Sequence, residues 1–289
     1  MTQEPKQTSR LQRILIASPM SAVTGVGSLL VARVIVGVAT LGVFALLART
    51  LSTDEFGLFG LAWSVSYLFA AIVEGGYGLL VVREVAREPA LAGHYLGAFL
   101  PLRLLLAIGT LFVAIGLSAN LGWNGPAVVL LMSAAAANLQ VVSGVPRDFL
   151  IAIDRAEWAA LHAIVETVLR TAVIVGVAAI SHSVAAIFAA AAVFHVVWSI
   201  TFLPIFWGML RPRGVRIGAR SWARVLASSL PYGAFIVLGA VSAQMDIVIV
   251  SSLLPLAAVA TLQVAIRILA STDYAPEAAW RWEIGRAHV

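Results

Sequence analysis

Residues 28–47 read SLLVARVIVGVATLGVFALL, a stretch almost wholly apolar that carries one charge, Arg33. A hydrocarbon core of about 30 Å needs about 20 apolar residues in a helix, so this stretch predicts a membrane-spanning helix. A cation there costs roughly 2.5 kcal/mol or more and should face protein or water. Stepping i, i+4, i+7, i+11 from Arg33 gives Gly37, Thr40 and Phe44, while Val31, Val34, Ile35, Val38 and Leu41 cover the other sides. The face is small and polar near Arg33 and turns bulky at Phe44, as in a helix lining a cavity that narrows with depth.

The rest of the chain reads the same way. It is 61% hydrophobic and only 11% charged, with a mean hydropathy of +0.97, whereas soluble domains carry about 25% charged residues. A polytopic, all-α membrane protein is the expected class. Cysteine is absent, which excludes a disulfide framework, a thiolate nucleophile and a cysteine-based metal site. Lys6 is the single lysine beside eighteen arginines, a usage that points to a GC-rich bacterial genome. The first apolar span is too long for a cleavable signal peptide and lacks a small-residue cleavage site.

Eight spans are expected, at about 24–48, 57–82, 94–118, 126–145, 158–180, 184–208, 226–252 and 255–272. Their loops alternate between two sides. Lys6, Arg10, Arg13, Arg83, Arg87, Arg147, Arg155, Arg211, Arg213, Arg216, Arg220 and Arg224 fall on the N-terminal side, and only Arg49 on the other. Twelve cations against one predict a cytoplasmic N-terminus in a bacterial inner membrane and account for the high pI without nucleic acid. The short outer loops leave no room for a catalytic domain. Residues 283–289, EIGRAHV, back-translate to the start of a common short-read sequencing adapter. The native frame is therefore expected to stop near Trp282, leaving a truncated fragment.

Several motifs carry a family resemblance. The junction Leu47-Ala-Arg-Thr-Leu-Ser-Thr-Asp-Glu-Phe-Gly-Leu-Phe-Gly60 resembles the "LAR-LG-EEFG-F" junction of the polysaccharide transporter (oligosaccharide flippase) family, within the multidrug/oligosaccharidyl-lipid/polysaccharide exporter (MOP) superfamily. The run from Glu74 to Arg87 is similar to that family's "D-G-L-…-RE-AR" ending, with glutamate in place of aspartate. Pro146–Arg155 resembles its elbow after the fourth helix, and Ser229-Leu-Pro231 with Gln244-Met-Asp246 the start of its second bundle. The resemblance implies two six-helix bundles around a cavity of alternating access, and flipping of undecaprenyl-pyrophosphate-linked glycans. On that reading residues 1–23 are a cytoplasmic N-terminal segment, 24–208 the first six-helix bundle, 209–225 an arginine-rich cytoplasmic linker, and 226–282 the first two helices of a second bundle. Peptidoglycan-precursor flippases of the superfamily use cavity arginines on their first and eighth helices, which Arg33 and Arg267 match.

Arg33, Glu74, Arg103, Glu166 and Arg170 come out roughly 8–12 residues from the cytoplasmic ends of their spans, and Arg267 about five. Arg33, Arg103 and Arg267 are the candidate pyrophosphate ligands, because a guanidinium binds phosphate oxygens bidentately and stays charged. The competing reading makes these residues structural ion pairs. Glu166 and Arg170 are an i, i+4 pair with the acid first, Glu74 can neutralise Arg33 or Arg103, and Arg267 is shallow enough to snorkel to the interface. Asp246 is a candidate for ion coupling or for helix packing. Trp63 and Tyr67 share a face with Glu74 and are candidates for stacking on sugars or for packing between helices. His195 reads most simply as a packed polar group.

No zinc-ligand cluster, Ser/His/Asp arrangement or nucleotide loop is present, so no catalytic residue, metal or cofactor is expected. The expected partners are a lipid-linked oligosaccharide, anionic lipids and other glycan-assembly membrane proteins. Two alternatives stay open. One is a cation-coupled multidrug or small-molecule exporter of the same superfamily; the other is a membrane enzyme of glycan assembly, which would need a polar extracytoplasmic loop.

Overall fold

The computed structural model describes residues 19–120, 125–210 and 219–269. Lys6, Arg10, Arg13, Trp123, Arg211, Arg213, Arg216 and the adapter-like tail lie outside the described residues, as do the side chains of Trp207 and Arg220.

Among the described residues the protein is all-helical. The helices are α1 (Pro19–Thr50), α2 (Thr53–Glu74), α3 (Tyr77–Arg87), α4 (Ala92–Asn120), α5 (Gly125–Ser143), α6 (Val145–Ala152), α7 (Ala156–Ser181), α8 (Val184–Leu210) and α9 (Ala219–Leu253), followed by α10 (Leu256–Leu269). Seven stretches are long and apolar enough to cross a membrane: α1, α2–α3, α4, α5–α6, α7, α8 and α9. The expected eighth span is represented by α10, which is shorter than a crossing within the described residues.

The spans begin and end where local chemistry dictates. Ser52 opens α2 with a capping box: its hydroxyl accepts from the Glu55 N–H at 3.3 Å, and the Glu55 carboxylate accepts from the Ser52 N–H at 3.1 Å. Ser52→Ala should lower thermal stability by about 1 kcal/mol, and an unchanged melting curve in detergent would show that the cap contributes nothing. At the other end α2 stops on Gly75 and Gly76, both left-handed at φ 55° and 75°, a conformation cheap only for glycine. The continuous span expected at 57–82 is thus two helices. The span expected at 126–145 ends at Ser143, and after Gly144 the short helix α6 begins with Pro146 in its first turn.

Packing follows an arginine-bearing end and an opposite, aromatic end. Near Arg49 the core is Phe44, Leu47, Phe56, Phe59 and Phe188, with Phe59 stacked on Phe188 at 5.2 Å and edge-on to Phe44 at 5.3 Å. Near Arg87 and Arg147 a second core gathers Tyr77, Phe99, Phe149 and Phe206. Polar glue joins α4 to α5, where the Asn138 amide donates to Thr110 Oγ1 at 2.8 Å and to the Ala107 carbonyl at 3.2 Å. Val31, Val34 and Val38 of α1 are exposed, as residues turned towards lipid should be. Helices α9 and α10 pack against α2 at contacts only glycine permits. A Cβ on Gly57 would sit 2.0 Å from the Leu256 carbonyl oxygen, and one on Gly76 would sit 2.3 Å from the Gly233 nitrogen.

Candidate functional site

The two broken spans bring their charges together. Glu74 is the last residue of α2, and its carboxylate accepts from the N–H groups of Gly76 (2.7 Å) and Gly78 (3.0 Å). It thereby satisfies the backbone that the break exposes. Asp148 stands in the first turn of α6, at the other break. Arg103, on α4 and 3% exposed, links the two through Nη2, at 3.3 Å from Glu74 Oε1 and 3.2 Å from Asp148 Oδ2. Its Nη1 donates to the Val141 carbonyl at 3.4 Å. Of the two partners open to Glu74, the fold selects Arg103. Both carboxylates are met through Nη2, the arrangement of the structural ion-pair reading, while Arg103 also lines the cavity that opens above it.

The break also changes depth. The 22 residues of α2 already span about 33 Å, so Glu74 lies at the foot of a complete crossing rather than several residues inside one. The Arg103–Glu74–Asp148 cluster therefore sits on the arginine-bearing side of the bundle, beside the ends of α2 and α5.

Above it opens a cavity of about 260 Å³ whose polar lining includes Tyr67, Glu74, Arg103, Gln140, Asp148 and Glu166, with Arg147 at its edge. Its three carboxylates face two guanidinium groups, so it is not the net-cationic pocket expected. A smaller cavity of about 80 Å³ shares Tyr67 and Gln140 with it and continues towards the aromatic end past Trp63, Arg170 and His195. Trp63 and Tyr67 thus do line the cavities. Trp63 also packs edge-on to Phe44 at 5.5 Å, whereas Tyr67 is 47% exposed and presents its ring at the junction.

Glu166 of α7 has two histidine neighbours within 4 Å: His195 Nδ1 lies 3.4 Å from Oε1 and His162 Nδ1 lies 3.7 Å from Oε2. Arg170, the partner expected one turn on, acts on Glu166 through its charge and also lines the smaller cavity. His162 Nε2 accepts from the Trp198 indole N–H at 2.9 Å, and His195 Nδ1 lies 3.2 Å from Ser143 Oγ. His195 is a packed polar group as its sequence context suggests, and Asp148 lies in the charged amphipathic elbow that follows the fourth span. Both belong to the polar interior.

Arg33 and Arg267 are not brought together. The Arg267 guanidinium stacks over Phe44 at 4.3 Å and reaches Trp63 at 5.6 Å. Phe44 lies eleven residues beyond Arg33 on α1, about 16 Å along the axis, and an arginine on a helix leans towards the N-terminus, away from Phe44. Arg33 is half-buried on α1. Asp246 is exposed on α9, outside both cavities. Among the described residues no group of histidines and carboxylates has the geometry to hold a metal ion.

The comparisons agree with this architecture. A MOP superfamily transporter from Pyrococcus furiosus, described as having a binding pocket of reverse polarity, is 18% identical over 79% of this chain and 55% of its own, with a TM-score of 0.56. A multidrug resistance MATE family transporter of the same superfamily, in an outward-facing conformation, is 18% identical over 80% of this chain and 55% of its own, with a TM-score of 0.59. The chain thus spans about half the length of these solved structures, whose fold it shares. No curated protein matches it significantly. The model of the family described as "Polysaccharide biosynthesis protein" matches residues 22–271, and the chain belongs to that family.

Proposed function

We propose that the full-length protein is a flippase that moves polyprenyl-pyrophosphate-linked oligosaccharide across a bacterial inner membrane by alternating access, with its arginine-bearing end in the cytoplasm. The observation that carries the reading is the larger cavity, read beside the family match. Its carboxylates, amide and half-exposed Tyr67 ring are the groups that hydrogen-bond and stack on sugars, and its arginine-bearing side is the one from which a lipid-linked glycan would enter. The cation facing the pyrophosphate is then Arg147, whose side chain is 47% exposed at the rim, with Arg33 on α1 as a second. The remaining exposed arginines meet anionic lipid.

In proteoliposomes of the full-length protein, Tyr67→Ala combined with Gln140→Ala should slow glycan translocation by about tenfold or more, given roughly 1 kcal/mol for a lost hydrogen bond and about as much for a lost ring contact. Wild-type flux in that double variant would remove the cavity from the pathway. The excess of carboxylates favours one other reading, an exporter of cationic small molecules from the same superfamily. Efflux of a cationic dye without glycan translocation would select it.

A further inference from the structure

We infer that Glu166, His162 and His195 form an exchangeable proton site that connects the two cavities. That it drives transport rests on the reading above; that it binds a proton does not. Glu166 faces the larger cavity and His195 lines the smaller one, and the two meet at 3.4 Å. Both histidines are almost fully buried, at 2% and 1% exposure. Such groups inside a membrane span are costly unless they have a use.

The hydrogen bonds fix where protons can sit. An indole only donates, so Trp198 requires a lone pair on His162 Nε2, and neutral His162 carries its proton on Nδ1, turned towards Glu166. That nitrogen has no hydrogen-bond partner in this arrangement, with the carboxylate 3.7 Å away. With its hydroxyl hydrogen on the Gln140 carbonyl at 2.9 Å, Ser143 Oγ accepts from His195, and that tautomer places the His195 proton on Nδ1 between Ser143 and Glu166. The step then balances. Nε2 takes up a proton from the smaller cavity as Nδ1–H passes its own to Glu166 Oε1, so the carboxylate becomes neutral and the imidazole ends neutral with its proton on Nε2.

The charged groups around the site are Arg170 on α7 itself, Arg147 and Asp148 on α6, and Glu74 and Arg103 across the cavity. Helix α1, packed along α7, carries Arg33 and Arg49. On α8 the facing groups are His195 and Trp198. With Glu74 and Asp148 already held by Arg103, Glu166 is the carboxylate of this cavity whose nearest partners are titratable rather than permanently cationic.

The test uses full-length protein in nanodiscs and infrared difference spectra between acid and alkaline buffer. Wild type should show a titrating protonated-carboxyl band that is absent in Glu166→Gln and whose midpoint moves by at least one pH unit in His195→Gln, with thermal melting confirming that both variants fold. A band unchanged in Glu166→Gln, or a midpoint unmoved in His195→Gln, would overturn the proton site. In proteoliposomes, the ratio of glycan flux with and without a proton gradient should fall to about one in Glu166→Gln, and a ratio equal to wild type would overturn the coupling. The infrared band needs no substrate, so a protein that titrates here yet moves no glycan would refute the flippase reading and leave the site standing.

Discussion

Arg103→Met should cost the folded bundle about 3–5 kcal/mol, the usual result of removing one member of a buried ion cluster. Arg103 is 3% exposed and sits between Glu74 and Asp148, so its loss leaves two carboxylates facing each other at a helix break. The damage should be specific to charge. Adding Glu74→Gln and Asp148→Asn to Arg103→Met removes the stranded anions, and the triple variant should recover most of the loss. The two Glu74 oxygens each accept from one N–H, Gly76 and Gly78, so Glu74→Gln keeps an acceptor for one of them, whereas Glu74→Ala abandons both and should be worse than its charge change alone. Thermal unfolding in detergent, followed by loss of monodispersity, measures the series. An Arg103→Met protein that melts with wild type would show the cluster to be energetically idle.

The second large effect is expected at Gly76. Valine there would meet the Gly233 backbone nitrogen at 2.3 Å from its Cβ and would have to hold φ near 75°. Left-handed backbone costs roughly 1–2 kcal/mol for a residue with a Cβ, and overpacking adds about 1–3 kcal/mol. Because the obstacle is backbone, no side-chain rotation relieves it, and α9 must move away from the α2–α3 break. Gly57→Val does the same to α10 at the aromatic end, where Leu256 O stands 2.0 Å from the position of its Cβ. Spin labels on α2 and α9 should report a wider separation at the arginine-bearing end for Gly76→Val. For Gly57→Val, labels on α2 and α10 should widen at the aromatic end. Distances unchanged in both variants would contradict the close backbone contacts.

Much of this architecture was legible because hydropathy and charge act over whole helices. Every expected span from 24–48 to 226–252 has a helical counterpart, and Val31, Val34 and Val38 are exposed while Ile35 and Leu41, from the same set of apolar positions, are partly buried. The failures come from effects that a window average cannot carry. Gly75 and Gly76 sit inside an apolar stretch, and nothing in their hydropathy distinguishes a helix that continues from one that breaks. Once the chain breaks, Glu74 moves to the foot of its span, and depth counted along a continuous helix no longer applies. Asp148 lies in a charged segment that reads as an interfacial elbow; only the contact of α6 with α3 turns it inward. The Glu166–Arg170 spacing is favourable on an isolated helix, but α8 supplies His195 across the interface, and such a contact has no signature in local sequence. Arg267 shows the same limit, since its aromatic partners Phe44 and Trp63 come from two other helices.

The aromatic end has an electrical consequence. Phe44, Phe56, Phe59 and Phe188 form an apolar layer that narrows the path to a small, mostly apolar cavity, while the polar cavity on the other side is wide enough for water down to Glu166. A conducting and an insulating layer in series divide a voltage unequally, so in a full-length protein that keeps this layering most of the membrane potential would fall across the aromatic layer. A proton that reaches Glu166 from the arginine-bearing end has then traversed little of the field. Nearly all of the roughly 2.3 kcal/mol per 100 mV available to one charge remains concentrated in the few turns between His195 and the far surface.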